Sequence, residues 1–249
     1  MNEVASAAAA HRYRAETPWG PWSACLAVLA VGALSFAAAI AVVLAVGAGA
    51  MQSARDPDNW LAWAPALLSQ ALMAAGAVWL AGWFKGNRTS LLALAPPYPA
   101  GAMIGLYFLA IISASILYTF AIFQLWPGIV RADLETFGPM VKSSVWPAYA
   151  LIIVVGAPLS EELLFRGFLQ SALAPSRLGY IGASLVTTTS WTLLHIQYSM
   201  FGLAEIFVVG LVFCWVLWRT GSLWATIILH ALYNGSQFLA QRFELLPWT

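Results

Sequence analysis

Pro158-Leu159-Ser160-Glu161-Glu162-Leu163-Leu164-Phe165-Arg166-Gly167 decides the reading of this chain. It sets two carboxylates and a guanidinium inside a long apolar run. A charged side chain in the middle of a bilayer costs about 3 kcal/mol or more on insertion scales. Groups held there line a cavity, pair with one another, or do chemistry.

The run is apolar because the whole chain is. Of 249 residues, 61% are hydrophobic and only 8% charged, with mean hydropathy +0.80. A soluble domain carries about 25% charged residues. The composition therefore predicts an integral, multi-pass membrane protein. A net charge of +1 gives no reason to expect a nucleic-acid partner. Cys25 and Cys214 both lie in apolar runs and read as packed thiols, not as a disulfide or a metal pair.

Working outward, residues 146–173 form a fourth apolar helix that carries the stretch, with a kink expected near Gly156 because Pro158 follows. Upstream, a polar tail over residues 1–21 contains His11 and ends at Trp19 and Trp22. Three apolar spans follow at 22–50, 65–84 and 101–126, joined by loops, the last at 127–144. Downstream, helices are expected at 179–197, 200–219 and 222–243. The expected fold is all-α: one membrane domain over 1–249, with about seven transmembrane helices and a range of six to eight. The distribution of Lys and Arg between alternate loops favours a cytoplasmic amino terminus.

Glu162 and Arg166 stand four apart, on one helix face, and are expected to form an ion pair. Glu161 is rotated from Glu162 by about 100° and is left for another task. Glu161 lies 17 positions before the turn near residue 178, and His195 lies 17 after it. At about 1.5 Å per residue the two reach the same depth. His230 and Asn234 share a face of the last helix, near that depth. Glu205 is a secondary candidate, either orienting His195 or standing as an interfacial glutamate.

A carboxylate and a histidine at one depth suit the deprotonation of a water. His230 and Asn234 would supply hydrogen bonds to an oxyanion. Glu161, His195 and His230 also have the composition of a two-histidine, one-carboxylate zinc site. There is no HExxH, no nucleophile elbow and no dinucleotide glycine pattern. A proton-coupled transporter would also bury Glu and His, but no inverted repeat is visible. The bland alternative is a packing network in a non-catalytic scaffold, chaperone or immunity protein.

Glu161-Glu162-x-x-x-Arg166, the aromatic-x-x-x-His of Trp191 to His195, and His230-x-x-x-Asn234 resemble the three motifs of the CPBP family, the CAAX-prenyl-protease-2-like and bacteriocin-processing (Abi) membrane proteins. The resemblance covers residues 146–240, which would be the catalytic core; the three helices of 22–126 are additional. It implies a metal-independent intramembrane endopeptidase acting on a membrane-associated or lipidated peptide or protein. Glu161 and His195 would activate water, His230 and Asn234 stabilise the tetrahedral intermediate, and Glu162 and Arg166 brace the site. No cofactor is implied, and the expected location is a bacterial inner membrane. Trp191 stands where the family usually has Phe, a change expected to alter packing and leave the chemistry alone.

Overall fold

The computed structural model describes residues 13–14, 17–47, 49–83, 87–97 and 102–249. His11, Arg12, Glu16 and Lys85, which entered the reading of the tail and of the orientation, lie outside them. Among the described residues the protein is all-helical. The helices are α1 (Pro21–Ala45), α2 (Ala50–Ser53), α3 (Trp60–Ala81), α4 (Arg88–Leu91), α5 (Ala102–Leu125), α6 (Pro127–Glu135), α7 (Gly138–Lys142), α8 (Trp146–Leu173), α9 (Gly179–Leu193), α10 (Met200–Thr220) and α11 (Leu223–Arg242).

Five of these, α1, α3, α5, α8 and α10, are long and apolar enough to cross a membrane. The fifth and seventh expected spans are present as helices α9 and α11 but fall outside that group. Helix α9 has 15 residues, short of the ~20 that span a bilayer. Helix α11 has 20 residues but spends several of them on His230, Asn234, Ser236 and Gln237. The segments that carry polar site residues are therefore the ones that lose hydropathy.

Helix α8 is the centre. It is 44% buried across its apolar window, against 11–33% for the other four. Every residue from Glu162 to Leu169 is buried. Helix α3 packs on one side of it and α11 on another, while α1 packs on α3, and α9, α10 and α11 follow one another in contact. The outer helices face outward with leucines, such as Leu26, Leu29 and Leu34 on α1 and Leu106, Leu109 and Leu117 on α5. Lipid solvates these as well as a protein core would, so packing and hydrogen bonding decide the inner contacts.

The break expected at Pro158 takes a different form. Helix α8 stays continuous, with helical dihedrals at Gly156 (φ −64°, ψ −50°) and Ala157 (φ −62°, ψ −53°). It widens into π-helix at Leu151–Gly156 and again at Glu162–Leu169. Such widened turns absorb an irregularity without ending a helix, and often accompany functional sites. Gly156 also permits a close approach: a Cβ there would overlap Oε1 of Gln70 on α3.

Three boundaries depart from the sequence reading. Helix α3 begins at Trp60, not Pro65, because Asn59 caps it by accepting from the Leu61 amide at 3.0 Å. The loop expected at 127–144 contains two short helices, α6 and α7. Helix α9 stops at Leu193, so His195 sits in the turn beyond it.

Candidate functional site

One cavity of ≈ 620 Å³ collects Glu161 from α8, His195 from the turn after α9, and His230 and Asn234 from α11. All four side chains named from the sequence thus reach a common hollow. Trp191 and Glu205 line it too, with Ile129, Val130 and Leu134 of α6 and Met140 and Val141 of α7.

Glu161 and Glu162 point to different partners, as their rotation requires. Glu162 is fully buried and binds Arg166 Nη1 through Oε1 at 3.1 Å. The same oxygen accepts from His230 Nδ1 at 3.0 Å. Arg166, also fully buried, donates from Nη2 to the Gly210 carbonyl at 3.3 Å. Its guanidinium lies 4.3 Å from the Trp191 ring centroid. Two charges taken out of water need such added contacts to offset their desolvation. Glu162 Oε2 and Arg166 Nε nevertheless have no hydrogen-bond partner.

Glu161 is only partly buried. Its Oε2 accepts from Trp191 Nε1 at 2.5 Å, and Oε1 makes no protein hydrogen bond among the described residues. His195 donates from Nδ1 to the Trp191 carbonyl at 3.1 Å. A carbonyl only accepts, so Nδ1 carries a proton, and in the neutral ring the lone pair is then on Nε2. Glu161 Oε1 and His195 Nε2 are therefore two unspent acceptors on the wall of one cavity.

His230 uses Nδ1 on Glu162. A donor toward an oxyanion then requires a second proton, on Nε2, and Glu162 stands where it balances that charge. Asn234 gives one N–H to the Ile153 carbonyl at 2.9 Å, leaving its second N–H and Oδ1.

Two expectations need correcting. Among the described residues Glu205 makes no hydrogen bond to His195, so it does not orient that ring. It accepts from Ser115 and Thr119 of α5 and from Tyr233 of α11, the last at 2.8 Å, and so ties three helices. Trp191 does more than fill space: its N–H reaches Glu161, which no Phe could do. Sequence reasoning also missed Asp133, read as part of a loop. Asp133 accepts from the Ser199 amide at 2.7 Å and hydroxyl at 2.6 Å, fixing the far end of the turn that carries His195. Burial, reinforced by the charges of Asp133 and Glu205, pushes the Tyr198 phenol of that turn above its ordinary range, so it stays protonated.

Glu161, His195 and His230 share the cavity, but His230 Nδ1 is committed to Glu162. Among the described residues no group of three His, Cys, Asp or Glu side chains is placed to hold a metal ion.

Fold and site together define a class: an all-helical integral membrane protein with a carboxylate- and histidine-lined cavity. Residues 143–236 match the family model described as type II CAAX prenyl endopeptidase Rce1-like. This bears out, over that segment, the resemblance carried by the three motifs. A curated relative, the "Uncharacterized 24.3 kDa protein" of Escherichia coli, is 36% identical over 83 residues. The matched stretch is 32% of this chain and 38% of that protein, well under half of either. No solved structure matches the chain.

Proposed function

We propose that this protein is an intramembrane endopeptidase that hydrolyses a peptide bond of a membrane-associated peptide or protein without a protein nucleophile. The observation that carries this is that Glu161 and His195, each with an acceptor atom not bonded to protein, line one cavity together with His230 and Asn234. The Rce1-like match over 143–236 supports the reaction class.

In this reading a water in the cavity gives one proton to Glu161 while its other O–H donates to the Nε2 lone pair of His195. The water oxygen forms a bond to the scissile carbonyl carbon. The negative charge that develops on the carbonyl oxygen is met by Nε2–H of a doubly protonated His230 and by the remaining N–H of Asn234. The proton on Glu161 then passes to the leaving nitrogen. The C–N bond breaks, releasing an amine and a carboxylic acid, whose hydroxyl proton passes to His195 Nε2 and leaves the carboxylate. Every role is filled by side chains of this chain, and no metal is required.

The test is purified protein in detergent or proteoliposomes with a library of membrane-anchored peptides. Glu161→Gln and His195→Ala should each lose at least about a hundredfold in turnover, the usual reach of general base catalysis, with the melting temperature held. Activity should survive chelators. Equal cleavage by wild type and Glu161→Gln would overturn the assignment. Chelator inhibition with metal rescue would replace it with a zinc enzyme. Loss of fold with no measurable cleavage would leave the cluster as packing.

A further inference from the structure

Trp191 touches Glu161, His195, His230 and Arg166. Its indole N–H bonds Glu161 Oε2 at 2.5 Å and its carbonyl accepts from His195 Nδ1 at 3.1 Å. Its ring lies under Arg166. The same ring meets His195 edge-on at 5.0 Å and His230 at 5.5 Å. It is 3% exposed, so its position is fixed by packing and it lends that rigidity to what it holds.

The two hydrogen bonds have complementary consequences. A carboxylate on a helix turns about two side-chain torsions before it reaches its terminal one, and each freedom spreads the position of its oxygens. The indole N–H is a donor only. It pins one oxygen of Glu161 and leaves the other directed elsewhere. The backbone carbonyl of the same residue selects the His195 tautomer whose lone pair is on Nε2. A Phe at this position would keep the ring and the carbonyl but hold no oxygen of Glu161.

We propose that Trp191 is a positioning residue, whose indole N–H sets Glu161 and whose carbonyl sets His195 so that both address one water. This rests on the reading of Glu161 and His195 as the water-activating pair. The consequence for this chain is that base geometry depends on an indole hydrogen bond, so Trp191→Phe separates that bond from ring packing.

The effect on turnover has a definite sign. Without the indole N–H the Glu161 carboxylate is free to swing about its torsions, so fewer of its positions address the water. The Trp191 carbonyl still holds His195, and His230, Asp133 and Glu205 keep their partners. In Trp191→Phe kcat should fall about tenfold, the scale of one charge-assisted bond, with KM unchanged.

The experiment has two arms. In the first, kcat and KM are measured for wild type and Trp191→Phe. An unchanged kcat, or a loss that appears only as a raised KM, would overturn the proposal, whatever the fate of the protease reading. In the second, protein labelled with ¹⁵N-tryptophan is compared with its Glu161→Gln variant by NMR. One indole N–H resonance should lie downfield in wild type and move upfield in Glu161→Gln, by the loss of a charged acceptor. If no indole resonance moves, the contact is absent in solution and the proposal fails. This arm needs neither substrate nor a folded Trp191 variant. Failure of the protease reading shows instead as undiminished cleavage by Glu161→Gln.

Discussion

Asn234 donates to the carbonyl of Ile153, and Ile153 is the residue that Pro158 leaves without a donor. In the widened turn of α8 the Ala157 amide bonds five residues back, to the Ile152 carbonyl. The next bond in that register would run from residue 158 to residue 153. Proline has no N–H, so the Ile153 carbonyl is orphaned inside a membrane helix, where an unsatisfied group costs several kcal/mol. Asn234 of α11 fills the vacancy at 2.9 Å. The last motif thereby clasps the helix of the first.

This gives a coupling that can be measured. Asn234→Ala should destabilise the protein by about 1–3 kcal/mol, the cost of a buried acceptor left bare. In a Pro158→Ala background, residue 158 supplies its own N–H. Asn234→Ala should then cost much less. Thermal unfolding of the four proteins of this double-mutant cycle, in one detergent, checks it. Additive effects would mean that the two residues do not share that carbonyl.

The triad of Glu162, Arg166 and His230 yields a second prediction. Removing one partner of a buried ion pair is more damaging than removing both, because the survivor keeps its charge without compensation. Arg166→Met should cost about 3–5 kcal/mol, and Glu162→Gln/Arg166→Met less than the sum of its parts. Arg166→Lys keeps the charge but cannot reach both Glu162 and the Gly210 carbonyl while lying over Trp191. It should fall between wild type and Arg166→Met in denaturant unfolding.

The limits of the sequence reading follow from the same contacts. The meeting of Glu161 and His195 at one cavity was legible: equal counts to either side of residue 178 predict it, and such counting needs no knowledge of neighbours. The Glu162–Arg166 pair was legible for the same reason, being local. The partners of Glu161, His230 and Asn234 were not, since each comes from another helix whose rotation depends on packing. Periodicity arithmetic also assumes 3.6 residues per turn, so the two π-helical stretches of α8 lay outside its reach. Helices α6 and α7 were hidden by their mixed composition: short surface helices alternate polar and apolar residues much as loops do.

Gly210 offers a steric prediction. A Cβ at this position of α10 would come within 2.7 Å of Thr188 Cγ2, 2.9 Å of Arg166 Nη2 and 3.0 Å of Trp191 Cε3. None of the three has room to retreat, since Thr188 and Arg166 are fully buried and Trp191 nearly so. Gly210→Ala should cost about 1–3 kcal/mol as overpacking. It should also shift the indole signals, because the ring and the guanidinium must move together. Gly32→Ala, where no atom lies within 4 Å, is the control and should leave both unchanged.

Asp58 links the start of α3 to the start of α8 and supplies a pH dependence. Its Oδ1 accepts from the Ser143 hydroxyl at 2.6 Å and the Ser144 amide at 2.9 Å. These bonds, the Ser143 hydroxyl first, hold its carboxyl below the ordinary carboxylate value, because they favour the ionised form. A carboxyl depressed in the folded state stabilises fully above its unfolded value of about 3.9. That contribution is lost as pH falls through the lower, folded value. Asp58→Asn should therefore melt below wild type at pH 7, by a small margin because the group is exposed and solvent screens it. As pH falls below about 4, the wild-type melting temperature should drop toward that of the variant and the gap should close. A gap constant from pH 7 to pH 3 would show that the clasp does not depend on the Asp58 charge.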